Sequence, residues 1–93
     1  MLKERIISLL EDLENAPISL NYAAEIINGC LDIMSLTKDN VEYKKFRSFD
    51  LRLSMDKFTY LIKESDENIE QQYWDNSILD LKFDLKSLLR QLK

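Results

Sequence analysis

A single glycine and a single proline in 93 residues leave this chain few places at which to reverse direction. Folds built from β-strands at this length need tight turns at short intervals and draw on glycine, proline, asparagine and aspartate to make them. A few long helices with few connections suit the composition better. With 45% apolar and 32% charged residues, the chain is too rich in leucine, isoleucine and aromatics to stay disordered. Its length predicts one domain over residues 1–93. A domain this small buries roughly 60–65% of the surface its unfolded form exposes, so the core is small.

The apolar spacing supports an all-α fold, a small four-helix bundle with one bent or split helix as a variant. Leu2, Ile6, Leu9, Leu10 and Leu13 recur at helical intervals with Lys3, Glu4, Ser8, Glu11 and Asp12 opposite. Asn15–Ala16–Pro17 ends that helix, because proline cannot continue it and restricts the residue before it. Ser19 then has the chemistry of an N-cap, with Ile18 placed as a hydrophobic staple. The second helix is expected to bury Leu20, Ala23, Ile27, Leu31 and Met34, widened by Ala24, Ile26 and Cys30. So wide a face implies more than one neighbour.

After the polar break Thr37–Lys38–Asp39–Asn40, the segment Val41–Lys63 places Leu51, Met55, Phe58 and Ile62 on one stripe, with Phe46, Phe49, Leu53, Tyr60 and Leu61 broadening it. One helix or two with a bend near Ser48 both fit. Lys44, Lys45, Arg47 and Arg52 alternate with Glu42 and Asp50, the pattern of a solvated helix face. Asp75, Asn76 and Ser77 are candidate caps for the last helix, and Ser77 with Asp80 has capping-box spacing. Ile78, Leu81, Leu85, Leu88 and Leu92 form its seam. From Leu79 to Leu85 apolar and charged residues also alternate as in a strand, but the Leu88–Leu89–Leu92 continuation favours a helix.

The chemistry of catalysis is missing. No histidine is present, which removes the commonest general base and the commonest transition-metal ligand. There is no glycine-rich phosphate loop and no nucleophile–base set. Asp66, Glu67 and Glu70 have a spacing that suits a hard cation, yet the chain lacks the aspartate-rich loop and turn glycine of an EF-hand. No enzymatic activity, cofactor or metal is expected. The lone Cys30, between Gly29 and Leu31, reads as a small buried hydrophobe. With no disulfide, no signal-type apolar region and no span-length apolar run, a reducing cytoplasmic setting is the expectation.

The net charge of −4 argues against nucleic acid or a membrane surface as the direct partner, since both demand clustered cations. No lysine or arginine lies between Lys63 and Lys82, a stretch holding Glu64, Asp66, Glu67, Glu70, Asp75 and Asp80 beside Tyr73 and Trp74. Carboxylates speed encounter with a basic protein, and an aromatic ring supplies desolvated contact. The candidate partner-binding residues are therefore Glu64, Asp66, Glu67, Glu70, Tyr73, Trp74 and Asp75. Whether Trp74 faces a partner or folds back over one end of the bundle is open at this level. A second cation-free region, between Arg5 and Lys38, adds Glu11, Asp12, Glu14, Glu25 and Asp32.

The acidic stretch, Tyr73, Asp75–Asn76 and the run Leu79–Asp80–Leu81–Lys82–Phe83–Asp84–Leu85 leading into a leucine-rich helix resemble the colicin D immunity protein family. Ile18–Ser19 with Tyr22, Glu25 and Ile26 is a fainter match. The resemblance implies a cytoplasmic immunity protein that binds the basic nuclease domain of a cognate toxin, one that cleaves transfer RNA. Its carboxylates would stand in for phosphates in the toxin's cleft. Immunity proteins of contact-dependent inhibition systems share these features. Two other readings stay open: a helical interaction or oligomerisation module that uses the Ile78–Leu92 seam between chains, and an acidic nucleic-acid mimic aimed at a DNA-binding protein.

Overall fold

The computed structural model describes residues 2–39, 49–65 and 68–92. Four helices account for nearly all of them: α1 (Leu2–Glu14), α2 (Leu20–Asp39), α3 (Phe49–Ser65) and α4 (Gln71–Gln91). Each helix packs on the one before and the one after it, and α4 closes the ring on α1. The result is an all-α four-helix bundle, and no strand occurs among the described residues. The question of a bend near Ser48 lies outside the described residues, which resume with α3 at Phe49.

Three of the four stripes fall where the periodicity puts them. Leu2, Ile6, Leu9 and Leu13 of α1, Leu51, Met55 and Phe58 of α3, and Ile78, Leu81, Leu85 and Leu88 of α4 are buried in one core. Leu10 and Ile62 pack against it half-buried, while Leu53 and Tyr60 face solvent. The Leu79–Leu85 alternation is helical: Leu81 and Leu85 are inside, and Leu79 and Phe83 are outside.

The second helix departs from expectation. Its buried residues are Ala23, Ile26, Cys30, Ile33 and Thr37, whereas Leu20 and Leu31 are exposed and Ile27 and Met34 only half-buried. Its polar residues Asn21, Glu25, Asn28, Asp32 and Ser35 form one exposed stripe at alternating steps of four and three, and the buried set lies directly opposite it, whereas the expected set is centred on the large side chains Leu20, Leu31 and Met34, turned to one side of that face. Contacts with α1 accord with that orientation. The Tyr22 hydroxyl donates to the Asp12 carbonyl oxygen at 2.7 Å, and Arg5 lies 3.3 Å from Asp32. At Gly29 a Cβ would sit 3.0 Å from Leu9 Cδ1, so the two helices approach closely where that side chain is missing. The buried Thr37 hydroxyl is satisfied by the Met34 carbonyl at 2.8 Å.

Ser19 caps α2 as its position suggests. Its Oγ accepts from the Tyr22 N–H at 3.4 Å, and its carbonyl accepts the first helical bond from Ala23 at 2.8 Å. The start of α4 requires a correction. Asp75, Asn76 and Ser77 lie inside the helix, which begins at Gln71 with Glu70 as an extended N-cap residue that makes no side-chain cap bond. The reason is packing. Trp74 stands four residues before Ile78 and continues the buried seam one turn towards the N-terminus. Gln71 and Gln72 carry adequate helix propensity for that extra turn.

Among the described residues no helix is long and apolar enough to cross a membrane.

Candidate functional site

The candidate residues gather at the end of the bundle where α1 and α3 finish and α2 and α4 begin. Glu64 is exposed on the last turn of α3. Asp66 and Glu67 lie outside the described residues. The chain resumes with the Asn68 N–H donating to the Ser65 carbonyl at 2.8 Å, and Ile69 packs half-buried against the core. That apolar anchor leaves Glu70 facing water at the N-terminus of α4, where the helix dipole favours a carboxylate. Tyr73 is 53% exposed one turn on. Asp75 is also exposed and accepts from Gln71 Nε2 at 2.8 Å.

Trp74 is a different matter, and it leaves the partner-binding set. It is 1% exposed, with its ring edge-on to Phe58 at a centroid separation of 5.2 Å. Its indole N–H donates to the Ala16 carbonyl oxygen at 3.3 Å. The ring therefore closes the end of the core and ties α4 to the α1–α2 connection. Of the two neighbouring aromatics, Tyr73 alone presents its ring outward.

That same end carries the second cation-free region. Glu11, Asp12 and Glu14, on the last turn of α1, are all exposed, as is Glu25 in the second turn of α2. The up-and-down order brings Glu14 of α1 to the same hollow as Asp75 of α4, which no linear spacing foretold, while Glu64 sits on α3, diagonal to α1. Glu14 is engaged by Lys82 Nζ at 3.5 Å, and Asp32, further along α2, by Arg5. That hollow, shallow and of about 300 Å³, is lined by Glu14, Asn15, Trp74, Asp75, Leu79 and Lys82 among others.

What such an arrangement does chemically is limited. Among the described residues no three histidine, cysteine or carboxylate side chains are grouped as metal ligands would be. Cys30 is buried and unpaired, and burial, with a smaller contribution from the nearby Asp84 charge, pushes its thiol up to about 12. It is an inert packing residue at neutral pH. Among the described candidates the exposed groups are carboxylates and one tyrosine at one end of the bundle, chemistry suited to binding a cationic surface. Comparison with protein-family models, curated proteins and solved structures finds no match to this chain.

Proposed function

We propose that the protein is a stoichiometric inhibitor, an immunity protein that covers the basic active-site cleft of a cognate nuclease toxin with its acidic end. The toxin would be a transfer-RNA-cleaving enzyme, as the resemblance in residues 64–93 implies. The observation that carries this reading is the exposed Tyr73 ring at the end of the bundle where Glu64 and Glu70 are exposed, while Asp75, two residues on, faces the α1 edge of α4 beside Glu14. A nuclease cleft must present lysines and arginines to phosphates, so clustered carboxylates are complementary to it and accelerate association. A ring with two rotatable bonds adds contact area at small entropic cost. The chain offers no catalytic set, so inhibition proceeds by occupancy.

The alternative, an interaction module that uses the Ile78–Leu92 seam between chains, is less favoured by the burial of Ile78, Leu81, Leu85 and Leu88 inside the bundle. The test is to look for a toxin gene beside this one and to titrate its nuclease domain with this protein. Full inhibition near one fixed molar ratio supports the proposal. Nuclease activity left untouched by an excess of the folded protein refutes it.

A further inference from the structure

The side of α4 that faces away from the core carries a stripe, Gln72, Asn76, Leu79, Phe83, Lys86 and Arg90, spaced at alternating steps of four and three residues and exposed throughout. At its centre Leu79 is 61% and Phe83 68% exposed. Two large apolar side chains one turn apart on the outer face are left largely uncovered by the described residues. The helix edges are occupied: on one, Lys82 reaches Glu14 of α1, and on the other Asp84 accepts from Ser54 of α3. These contacts fix which way the stripe points.

Read from either end, the stripe has the same form: two polar residues, an apolar one, an apolar one, two polar residues. Its charge is not symmetric. Asp75 lies beside the first half, on the α1 edge, and Lys86 and Arg90 belong to the second half. A face acidic at one end, apolar in the middle and basic at the other is complementary to itself when reversed.

We infer that two copies of this protein associate through the outer faces of α4, packed antiparallel about a two-fold axis that passes between Leu79 and Phe83. In that arrangement Leu79 of each copy packs on Phe83 of the other. The two-fold keeps the α1 edges on the same side, which sets Asp75 of one copy opposite Lys86 of the other, twice over. Asn76 and Ser87 meet on the α3 side. The helix dipoles also oppose each other favourably. A parallel pairing would instead stack Arg90 on Arg90 and lose the pairing of Asp75 with Lys86. A cationic partner such as a nuclease cleft fits this stripe poorly, because Lys86 and Arg90 flank Phe83. One feature opposes the dimer: Asp80, exposed on the α3 edge near the axis, approaches its own copy. One helix face apiece is a small contact for a specific interface, so association is weak and reversible.

This inference does not rest on the inhibitor reading: the two surfaces share Asp75, but Phe83 has no part in the acidic end, so Phe83→Glu tests the dimer alone. The test is sedimentation of the full chain over loading concentrations from low micromolar to near millimolar. The mass of the parent is expected to climb towards that of two chains. Phe83→Glu should remain monomeric throughout, with its helical circular dichroism and unfolding midpoint unchanged. Asp75→Lys should weaken the dimer by roughly fivefold through the loss of two exposed pairs, and the double variant Asp75→Lys/Lys86→Asp should recover it. Asp80→Asn should tighten it. A parent that stays monomeric at the highest concentration, a dimer that survives Phe83→Glu, or a double variant no tighter than Asp75→Lys overturns the proposal.

Discussion

The indole nitrogen of Trp74 donates to the carbonyl oxygen of Ala16 at 3.3 Å, binding the first turn of α4 to the connection between α1 and α2. One bond thus joins the two parts of the chain that are free of basic residues. It places a buried ring, rather than an exposed one, at the centre of the acidic end.

Trp74→Ala is expected to lower the stability of the free domain by about 3–5 kcal/mol, the usual cost of deleting a fully buried aromatic. Trp74→Phe should cost less, since the contact with Phe58 survives in part and mainly the hydrogen bond to Ala16 is lost. Urea titration followed by circular dichroism measures both. A Trp74→Ala variant as stable as the parent would contradict the burial.

The alternating run in α4 offers a sharper contrast. Leu85→Ala should cost about 2–5 kcal/mol as a cavity in a small core, while Leu79→Ser and Phe83→Ser should stay within about 0.5 kcal/mol of the parent in the monomer. Had this run been a strand, all of the apolar residues would share one face. Equal losses at 79 and 85 would therefore exclude the helix.

Ser19→Ala removes the acceptor for the Tyr22 N–H and should destabilise the domain by about 0.5–2 kcal/mol. Hydrogen exchange localises the effect. Amides in the first turn of α2 should exchange faster, with those of α3 shifted only by the change in global stability.

The buried Cys30 predicts an alkaline loss of stability. Its thiol, neutral in the folded state until about pH 12 against an ordinary 9.0, ionises earlier in the unfolded chain. Between those values the native state holds the extra proton, so stability falls as pH rises. Cys30→Ala lacks this linkage. The stability gap between parent and Cys30→Ala should narrow from pH 8 to pH 10.5, and a constant gap would show that the thiol is not held neutral.

At the acidic end, Glu64→Lys with Glu70→Lys should slow association with the cognate nuclease and flatten its salt dependence. Tyr73→Ala should mainly speed dissociation, by about 2 kcal/mol. Both side chains and the ring are exposed, so the unfolding midpoint should hold in each variant. Unchanged inhibition by both would move the candidate surface to Glu11, Asp12 and Glu25.

Much of the bundle is legible from spacing. Helices α1, α3 and α4 are amphipathic, and an amphipathic helix has one inward orientation that buries its apolar stripe without burying charge. Pro17 and Ser19 mark the first break with chemistry that acts within a few residues. These features are local, so a linear reading recovers them.

Of the features that the linear reading misplaces, one is local and the others depend on neighbours remote in the chain. The orientation of α2 is written in its polar stripe Asn21, Glu25, Asn28, Asp32 and Ser35, opposite which Ala23, Ile26, Cys30 and Ile33 are buried; weighting the large side chains Leu20 and Leu31 instead turns the expected face aside, and the close approach at Gly29 and the Tyr22–Asp12 bond accord with the observed one. Asp75–Asn76–Ser77 is a stronger starting signal than Gln71–Gln72, yet burying an indole outweighs a cap worth about 1 kcal/mol. Tyr73 and Trp74 are both plausible anchors by residue type, and a rotation of one residue about the helix axis assigns one to solvent and the other to the core. Helical periodicity and charge are properties of the chain itself. Where α4 begins, which of two adjacent aromatics is buried, and which acids share one end of the bundle depend on the free energy of packing four helices together, to which residues far apart in the sequence contribute jointly.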